Sequence, residues 1–500
     1  MNAFCCKLDF KRKHPLYLQL YSLLVEEIRT DNLKVGERLP SKKALCAQLG
    51  ISQSTVETAY DMLLAEGYIR SVPRSGYYVC QLERLEPSEC SPPPSITKAK
   101  QSEQPYRFYF STSAVDTSAF PYASWAKLHK EVMYQNPDLL QRGDPQGDNC
   151  LRQSLCKFLR EYRGVHCSPD QIVVGAGIEY LLDLVIQLLD QDAVFALENP
   201  GYDTTYHIIR NNSRLVVDIP LDKDGMDVGA LSQSNATVAY VTPSHQFPMG
   251  VTMPIGRRTQ LLKWASESPG RYIIEDDYDS EFRFNIRPIP AMQGLNLHSK
   301  VIYVGTFSRS IAPSIRVAYL VLPPVLLNRY LKKFTFSSST VSRFEQHTLC
   351  RFLDSGLFSR HLNRVGNLYK QRKDYVIEQL HRAFESKISI QGDNAGLHFL
   401  IQIKNGMEER ELIQRASHQG VKINGLSRYF RGDLDGCPPS TLVLGYAGLS
   451  QEELNQSVAL LKDCLLYTSP HYWHMSTILF EVFIFIQKPE DALSSGFLLL

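Results

Sequence analysis

The sequence predicts two folded domains, a small helical domain with a β wing and a large α/β domain whose sheet is mainly parallel. Residues 14–79 hold three helical stripes of apolar residues and then two short strand-like runs. From residue 106 onward, apolar runs typical of buried strands alternate with amphipathic helical segments. Such alternation indicates a parallel sheet covered by helices.

The composition is that of a globular protein without metal or membrane signals. The 500 residues are 44% hydrophobic and 21% charged, and their formal net charge is +2. The eleven cysteines are scattered without a CxxC pair, which argues against a zinc site or a disulfide framework. No apolar run reaches the roughly 18 residues of a membrane helix. We therefore expect a cytoplasmic protein with no metal and no membrane partner.

The N-terminal domain is predicted to be a winged helix-turn-helix. Ser41 and Ser52 each stand where a side-chain oxygen caps the start of a helix. We expect helices at residues 15–28, 42–49 and 53–66, and strands at residues 67–70 and 76–79. Two helices joined by a short turn and followed by a hairpin place the second helix in the DNA major groove.

This segment resembles the GntR-type DNA-binding domain. The matching phrases are "PLYLQLY", "VGERLPSKKALCAQLGISQSTVETAYDMLLAEGYI" and "SGYYV". The resemblance implies that double-stranded operator DNA contacts Arg38, Ser41, Lys42, Lys43, Gln53, Ser54, Thr55 and Arg74. Lys43 and Gln53 stand where the family usually has arginines, so the sequence leaves open which bases are read. The alternative is a helical interaction module with solvated charges.

Two segments are expected to lie outside the folded domains. Residues 81–104 are rich in proline, serine and charge, a composition that cannot bury a core and is typical of a tether. Residues 464–500 do not continue the pattern of the preceding chain. The predicted divisions are thus a DNA-binding domain at 1–80, a linker at 81–104, a large domain at 105–463 and a tail at 464–500.

Two features of the large domain predict a ligand site. A glycine-containing turn, Gly175–Gly177, follows a predicted strand and opens a helix, whose first N–H groups would cradle a phosphate. Asp276 follows the apolar run 272–274, and carboxylates at the C-terminal end of a strand lie in the ligand crevice of an α/β sheet.

The large domain resembles the fold-type-I pyridoxal-phosphate aminotransferases, in the form fused to GntR domains in MocR/GabR-type regulators. The resemblance runs from residue 106 to about residue 463. It is carried by "GDPQGDNCLRQSLCKFLREYRGVHCSPDQIVVGAGIEYLLDL", "LENPGYDTTY", "VTPSHQFPMG" and "YIIEDDYDSEFRF". It implies a smaller C-terminal α+β part and a homodimer, including one in which each DNA-binding domain packs against the partner's large domain.

The same resemblance implies a pyridoxal 5'-phosphate site. Tyr202 would stack on the pyridine ring, Asp276 would pair with its nitrogen, Tyr278 would bond its phenolic oxygen and His245 would line its other edge. The implied phosphate-side residues are Gly177, Thr306 and Arg316. Arg428 falls roughly where relatives bind the carboxylate of an amino-acid substrate or effector.

Arg309 stands where the family places the lysine that carries the cofactor as a Schiff base. A guanidinium stays protonated and forms no stable imine, so any cofactor here would be held non-covalently. Ile178 is a second departure, because the family often has a hydroxyl or amide there. The alternative is that Arg309 is a surface cation.

These observations predict a transcription regulator whose large domain senses an amino acid or a vitamin B6 related molecule and has lost turnover. Two alternatives stay open. One is an active transaminase that uses another lysine, of which Lys300 is nearest in sequence. The other is a DNA-binding scaffold without a ligand, if Ile178 and Arg309 together close the pocket.

Overall fold

The structure is a computed structural model that describes residues 8–10, 14–82, 106–284, 289–295, 299–434 and 436–466. Most of the predicted linker and the predicted tail beyond residue 466 lie outside these described residues. The chain divides into two compact units, Met1–Gln101 and Ser102–Leu500. In the part that the structure describes, no helix is long and apolar enough to cross a bilayer.

The N-terminal unit holds three helices and a hairpin. They are α1 (Leu16–Arg29), α2 (Lys42–Leu49), α3 (Gln53–Ala65), β1 (Ile69–Val72) and β2 (Gly76–Val79), and the two strands pair antiparallel. Ser41 accepts a hydrogen bond from the backbone N–H of Ala44 (3.2 Å), and Ser52 accepts one from Thr55 (3.3 Å). Both predicted caps are therefore present, and each fixes where a helix begins.

The apolar faces of these elements pack into one core, which leaves a polar face of α3 outside. Leu20, Leu45, Val56 and Leu63 are fully buried in it, and Val79 adds the end of the wing. Because residues 56, 59, 60 and 63 point inward, the first residues of α3 remain accessible. The winged helix-turn-helix prediction is confirmed.

The large unit contains fourteen strands and eleven helices in the described residues. Its strands are β3 (Phe108–Tyr109), β4 (Ile172–Gly175), β5 (Val194–Asn199), β6 (Leu215–Asp222), β7 (Gly225–Met226), β8 (Val238–Val241), β9 (Tyr272–Asp277), β10 (Val301–Thr306), β11 (Ala318–Val321), β12 (Ile388–Gln391), β13 (His398–Ile403), β14 (Val421–Lys422), β15 (Asn424–Gly425) and β16 (Thr441–Gly445). Its helices are α4 (Tyr122–Gln135), α5 (Asn149–Arg163), α6 (Ile178–Leu188), α7 (Asp203–Asn211), α8 (Val228–Gln233), α9 (Ile255–Ser266), α10 (Pro324–Lys333), α11 (Arg343–Asp354), α12 (Leu357–Phe384), α13 (Glu409–His418) and α14 (Gln451–Leu465).

The main sheet has eight strands in the order β4-β11-β10-β9-β8-β5-β6-β7. The central neighbours β10/β9, β9/β8, β8/β5 and β5/β6 pair in parallel, whereas β11 and β7 run antiparallel to their neighbours. The central strands β5, β8, β9 and β10 begin with buried apolar residues, as expected of strands buried on both faces, and the acids of β5 and β9 stand at their C-terminal ends. The mainly parallel sheet is confirmed. Its parallel order brings the C-terminal ends of β5, β9 and β10 to the same edge.

The C-terminal part is a smaller α+β layer, as predicted. A four-stranded antiparallel sheet, β12-β13-β16-β15, packs with α12, α13 and α14 around a second core. Helix α14 continues to Leu465, whose side chain is fully buried in that core. The folded unit thus extends two residues past the predicted end at 463, because the apolar spacing of α14 continues through Cys464 and Leu465.

Candidate functional site

A cavity of about 200 Å³ opens at the C-terminal edge of the main sheet. It is lined by Thr112, Ser113, Ile178, Glu179, Tyr202, Thr242, Phe247, Asp276, Tyr278, Thr306, Ser308, Arg309, Pro313 and Arg316. Six of the eight residues predicted to bind the cofactor are in this set, and none of the lining residues is a lysine. The cavity lies where ligands bind in open α/β sheets.

Asp276 is the acid at the base of the cavity. It stands on β9, and its Oδ2 accepts a hydrogen bond from the Tyr240 hydroxyl, while its Oδ1 is buried and has no partner among the described residues. Burial, opposed by the hydrogen bond from Tyr240 and reinforced by the charges of Asp277 and Asp279, raises the pKa of Asp276 to about 7. A cationic or N–H-donating ligand group would relieve this buried, unpaired oxygen.

Arg309 follows β10 and projects into the same cavity. Its guanidinium donates to the carbonyl oxygen of Thr112, and it forms no ion pair with any residue that the structure describes. Its charge lowers the pKa values of Tyr278 and His398, although burial is the larger influence on both and keeps the phenol and the imidazole neutral. The guanidinium therefore offers several N–H donors to a ligand.

The predicted phosphate cradle surrounds Gly177. This glycine has φ +99°, and a Cβ there would lie 2.3 Å from Arg316 Nη2, so only glycine fits. Helix α6 begins at the next residue and exposes its unpaired N–H groups. Thr306 contributes a hydroxyl that accepts from the Ser308 N–H (3.2 Å). Arg316 donates to the Ala176 carbonyl at 3.1 Å.

Glu179 occupies this cradle and was not predicted. Its carboxylate accepts a 2.8 Å hydrogen bond from Arg316 Nη2 and lines the cavity. Burial raises the pKa of Glu179, but the hydrogen bond and charge of Arg316 and a backbone hydrogen bond together outweigh burial, so the pKa lies below its usual value. A phosphate would compete with this carboxylate for Arg316. The sequence feature from which this role could have been predicted is an acidic residue directly after Ile178, in the first turn of α6.

The walls of the cavity are aromatic. Tyr202 is 45% exposed and meets Phe247 edge to face, with ring centroids 5.7 Å apart. Phe247 in turn meets Tyr278 at 6.4 Å. Such rings suit one face of a planar ligand. Phe247 was not singled out from the sequence, because nothing in its local pattern distinguishes it from a core residue.

His245 does not line the cavity. It is buried behind Tyr278, and its Nδ1 lies 2.9 Å from Asp279 Oδ2 and 3.1 Å from the Tyr278 hydroxyl, which donates to the His245 carbonyl oxygen at 2.9 Å. His245 thus positions Tyr278. His245, Asp279 and His398 hold ligand-type atoms within 4.8 Å of one another. His398 Nε2 lies 3.1 Å from the Pro248 carbonyl oxygen, whereas His245 Nε2 and Asp279 Oδ1 are buried without a partner among the described residues.

Arg428 does not reach the cavity. A short 3-10 turn at Ser427–Tyr429 directs Tyr429 inward and leaves Arg428 exposed, where it donates to Asn424 Oδ1 at 3.4 Å. The half-buried arginine of this loop is Arg431, which donates to Asp218 and to the Glu198 carbonyl oxygen, both at 2.6 Å. The expectation for Arg428 rested on sequence spacing, which does not resolve the orientation of a single turn.

Lys300 is far from Arg309. It precedes β10, and its ammonium donates to the carbonyls of Ser268 (3.0 Å) and Pro269 (2.7 Å). The six-residue strand between Lys300 and the cavity edge spans roughly 20 Å.

The residues predicted to contact DNA lie on the surface of the N-terminal unit. Arg38, Ser41, Lys43, Gln53, Ser54 and Arg74 are exposed, and Lys42 and Thr55 are half-buried. Glu57 on α3 accepts a hydrogen bond from Gln53 Nε2 (3.1 Å) and pairs with Lys42 Nζ (3.6 Å). This acid ties the start of the reading helix to α2, and the sequence pattern gave no indication of it.

Comparison with known proteins agrees with both units. Residues 16–79 match the family model for bacterial regulatory proteins of the gntR family, and residues 110–461 match that for aminotransferase class I and II. The chain is 38% identical over 451 residues to the HTH-type transcriptional regulator YdeL of Bacillus subtilis (strain 168), covering 90% of this chain and 96% of that protein. The chain belongs to the HTH-type transcription regulators that carry an aminotransferase-like domain.

Other relatives support this assignment. The chain is 32% identical over 477 residues to the probable rhizopine catabolism regulatory protein MocR of Rhizobium meliloti, covering 92% of this chain and 95% of that protein. Among solved structures, the kynurenine aminotransferase of Pyrococcus horikoshii superposes with a TM-score of 0.63 at 24% identity, over 73% of this chain and 91% of that one. At this identity the likeness shows the fold of the large domain. The predictions of a MocR-type regulator and a fold-type-I domain are confirmed.

Proposed function

We propose that this MocR-type regulator binds operator DNA through its winged helix and senses a vitamin B6 related or amino-acid-like molecule in the large-domain cavity without transaminating it. The observation that carries the proposal is Arg309. By the family resemblance it stands at the position of the Schiff-base lysine, and it lines a cavity whose lining residues include no lysine but retain Asp276, Tyr278, Thr306 and Arg316.

The residues present fit pyridoxal 5'-phosphate held non-covalently. The unpartnered Oδ1 of Asp276 would accept from the protonated ring nitrogen, and Tyr202 and Tyr278 would contact the ring. The Gly177 turn, Thr306 and Arg316 would hold the phosphate, with Glu179 displaced. When bound in this way the cofactor supplies an electron-withdrawing ring.

The same residues argue against turnover. Transfer of an amino group through this cofactor needs an amine that can add to and leave its carbonyl carbon. Arg309 keeps its proton and is a poor nucleophile. Lys300 is held by two carbonyls at the opposite end of β10.

A named relative supports the choice of ligand. The chain is 29% identical over 442 residues to the HTH-type pyridoxine biosynthesis transcriptional regulator PdxR of Corynebacterium glutamicum, covering 87% of this chain and 92% of that protein. The name of that relative links it to the biosynthesis of pyridoxine, a vitamin B6 compound. We extend this link to the present chain and propose a vitamin B6 compound as its effector.

The large domain also supports a cytoplasmic homodimer. Tyr134, Leu140 and Phe336 are 80%, 81% and 78% exposed, which is unusual for large apolar side chains. Arg142 bonds the Ser337 carbonyl at 2.7 Å, and Thr340 of the same loop accepts from the Ala176 N–H at 2.9 Å. These hydrogen bonds therefore connect the surface that contains Leu140 and Phe336 to the phosphate end of the cavity. A partner subunit, in a domain-swapped arrangement or not, would cover it.

Visible absorption tests the proposal. Purified protein mixed with pyridoxal 5'-phosphate is expected to show the absorption of the free aldehyde, to lose it on dialysis and to gain no cavity adduct on borohydride reduction. Arg309→Lys is the comparator, and it should retain the ligand as a reducible lysine adduct at residue 309. A stoichiometric reduced adduct on one lysine of the natural chain would favour an active transaminase. Absence of binding to either protein would favour the scaffold.

A further inference from the structure

The guanidinium of Arg309 is a positive charge that its surroundings do not balance. It donates to a neutral carbonyl oxygen, that of Thr112, and it has no ion-pair partner in the described part of the chain. Burial holds the pKa of Tyr278 well above and that of His398 well below the usual values, so neither carries a compensating charge. Tyr369, which also senses Arg309, has its pKa raised by burial and is likewise neutral.

The other charges of the cavity differ in this respect. Arg316 is already paired with Glu179 at 2.8 Å. Asp276 accepts from Tyr240, and its raised pKa of about 7 makes it a weak counter-charge at neutral pH. The cavity therefore holds one partly satisfied cation at the phosphate end and one unbalanced cation at Arg309. A ligand group placed beside Arg309 gains by accepting hydrogen bonds and loses by carrying positive charge.

We propose that Arg309 makes this cavity selective for the aldehyde form of the ligand, pyridoxal 5'-phosphate, over its amine form, pyridoxamine 5'-phosphate. The inference rests on the proposed function, since it assumes that a phosphorylated pyridine occupies the cavity. A lysine at position 309 would bond to the carbonyl-bearing carbon, so an arginine there places its N–H donors near the same substituent. The aldehyde oxygen accepts from them. The ammonium of the amine form is repelled, or must give up its proton to bind.

This selectivity would make the regulator respond to the ratio of the two forms rather than to their sum. Both forms carry the same ring and phosphate, so Asp276, Tyr202 and Arg316 contribute equally to both. The difference comes from one substituent and from one residue of the chain. It is therefore open to a single-site test.

The test measures the dissociation constants of three ligands for the full-length protein by calorimetry. The ligands are pyridoxal 5'-phosphate, pyridoxamine 5'-phosphate and pyridoxine 5'-phosphate, which carries a neutral hydroxyl and forms no imines with surface lysines. The natural protein should bind both uncharged-substituent ligands at least about tenfold more tightly than the amine. In Arg309→Met, which keeps an unbranched side chain without its charge, the preference should fall to about threefold or less.

Lys300→Met is the matched control, because it removes a cation of the same domain outside the cavity and should keep the full preference. Arg309→Gln serves as a second variant if thermal unfolding shows that Arg309→Met is not folded. Equal affinity of the natural protein for aldehyde and amine would overturn the inference and leave the proposed function standing. A preference that persists in both Arg309 variants would also overturn it. No binding of any of the three at millimolar concentration would contradict the proposed function itself.

Discussion

At the scale of single residues, Asp276, Arg309 and Glu179 are three charged residues of the cavity that differ in how well the local sequence predicts them. Asp276 was predicted because it follows the apolar run 272–274, and strand ends locate the crevice of an α/β sheet, whereas Arg309 was predicted from the family resemblance. Glu179 was not, because its role depends on its 2.8 Å contact with Arg316, which is 137 residues away in the chain. His245 was placed at the cavity, but a hydrogen bond to Asp279 holds it one layer behind Tyr278.

Replacing Glu179 with glutamine should strengthen the binding of phosphorylated ligands. The change frees Arg316 from an anion that competes with the phosphate. Because both partners of this pair are about half exposed, we expect a gain of only about two- to fivefold in affinity. Calorimetry with pyridoxal 5'-phosphate and with pyridoxal should show the gain for the phosphorylated ligand alone. Glu161→Gln, an exposed change on α5, is the control. An unchanged or weaker affinity would show that Glu179 does not compete with the phosphate.

Asp276 should make the stability of the ligand-free protein depend on pH. Its folded-state pKa of about 7 lies above the unfolded value near 3.9, so between these pH values the folded state binds more protons than the unfolded state. The contribution of Asp276 to the free energy of unfolding therefore falls as pH rises from about 4 to about 7.

Asp276→Asn removes this dependence. We expect the difference in melting temperature, variant minus natural protein, to increase between pH 5 and pH 8. Burial of the new amide adds a cost that does not depend on pH and therefore leaves this trend unchanged. Thermal unfolding followed by circular dichroism at several pH values measures it. A difference that is constant with pH would mean that Asp276 is ionised throughout that range in the folded protein.

At the scale of elements, caps and periodicity predicted the N-terminal unit well because they act over a few residues. The helix at Lys42–Leu49 and the start of α3 at Gln53 agree with the predicted bounds, and Ser41 and Ser52 provide the physical reason. Arg428 shows the limit of such reasoning. Its direction depends on a single turn packed by Tyr429, and a turn of three residues carries no period from which a face could be predicted.

The winged helix should contact DNA mainly through charge at α2 and the wing. Replacing Lys42, Lys43 and Arg74 with alanine should weaken operator binding and flatten its salt dependence, because each phosphate contact releases roughly one counterion. Lys42 is partly neutralised by Glu57, so we expect the loss to come chiefly from the other two. Binding titrations at several salt concentrations measure the slope.

A control with the same change in charge replaces Lys157, Lys223 and Lys404, which are exposed on the large domain. Replacement of Gln53 or Thr55 should instead change base preference, by about 1–3 kcal/mol for a good bidentate contact. If the triple variant bound its operator with an unchanged salt slope, the assigned contact surface would be wrong.

At the scale of the whole molecule, the alternation of strands and helices sufficed to predict two domains and a mainly parallel sheet. It did so because a strand buried on both faces of a sheet is a short continuous apolar run, which differs from the spaced apolar residues of an amphipathic helix. It could not predict the proposed dimer surface, because exposed Leu140 and Phe336 look like any apolar residues in a sequence. Only their exposure in the folded structure distinguishes them from apolar core residues.

A homodimer formed through that surface should dissociate when it becomes charged. We expect Leu140→Asp with Phe336→Asp to shift the protein from dimer to monomer, because two carboxylates would be buried in an apolar contact. Light scattering after size exclusion measures the mass. Val35→Asp, an exposed apolar residue of the N-terminal unit, is the control. A doubly charged variant that remained dimeric would place the interface elsewhere.

The central claim, a regulator that senses its ligand without covalent catalysis, is tested most directly by operator affinity under ligand titration. Operator binding is measured at increasing concentrations of pyridoxal 5'-phosphate and again after dialysis has removed the free ligand. Two samples are compared, one of which is treated with borohydride before dialysis. We expect the ligand to change the affinity and dialysis to restore it in both cases. An affinity that does not respond to the ligand would contradict sensing. A response made permanent by borohydride, with the ligand mapped to one lysine of the chain, would contradict the non-covalent account.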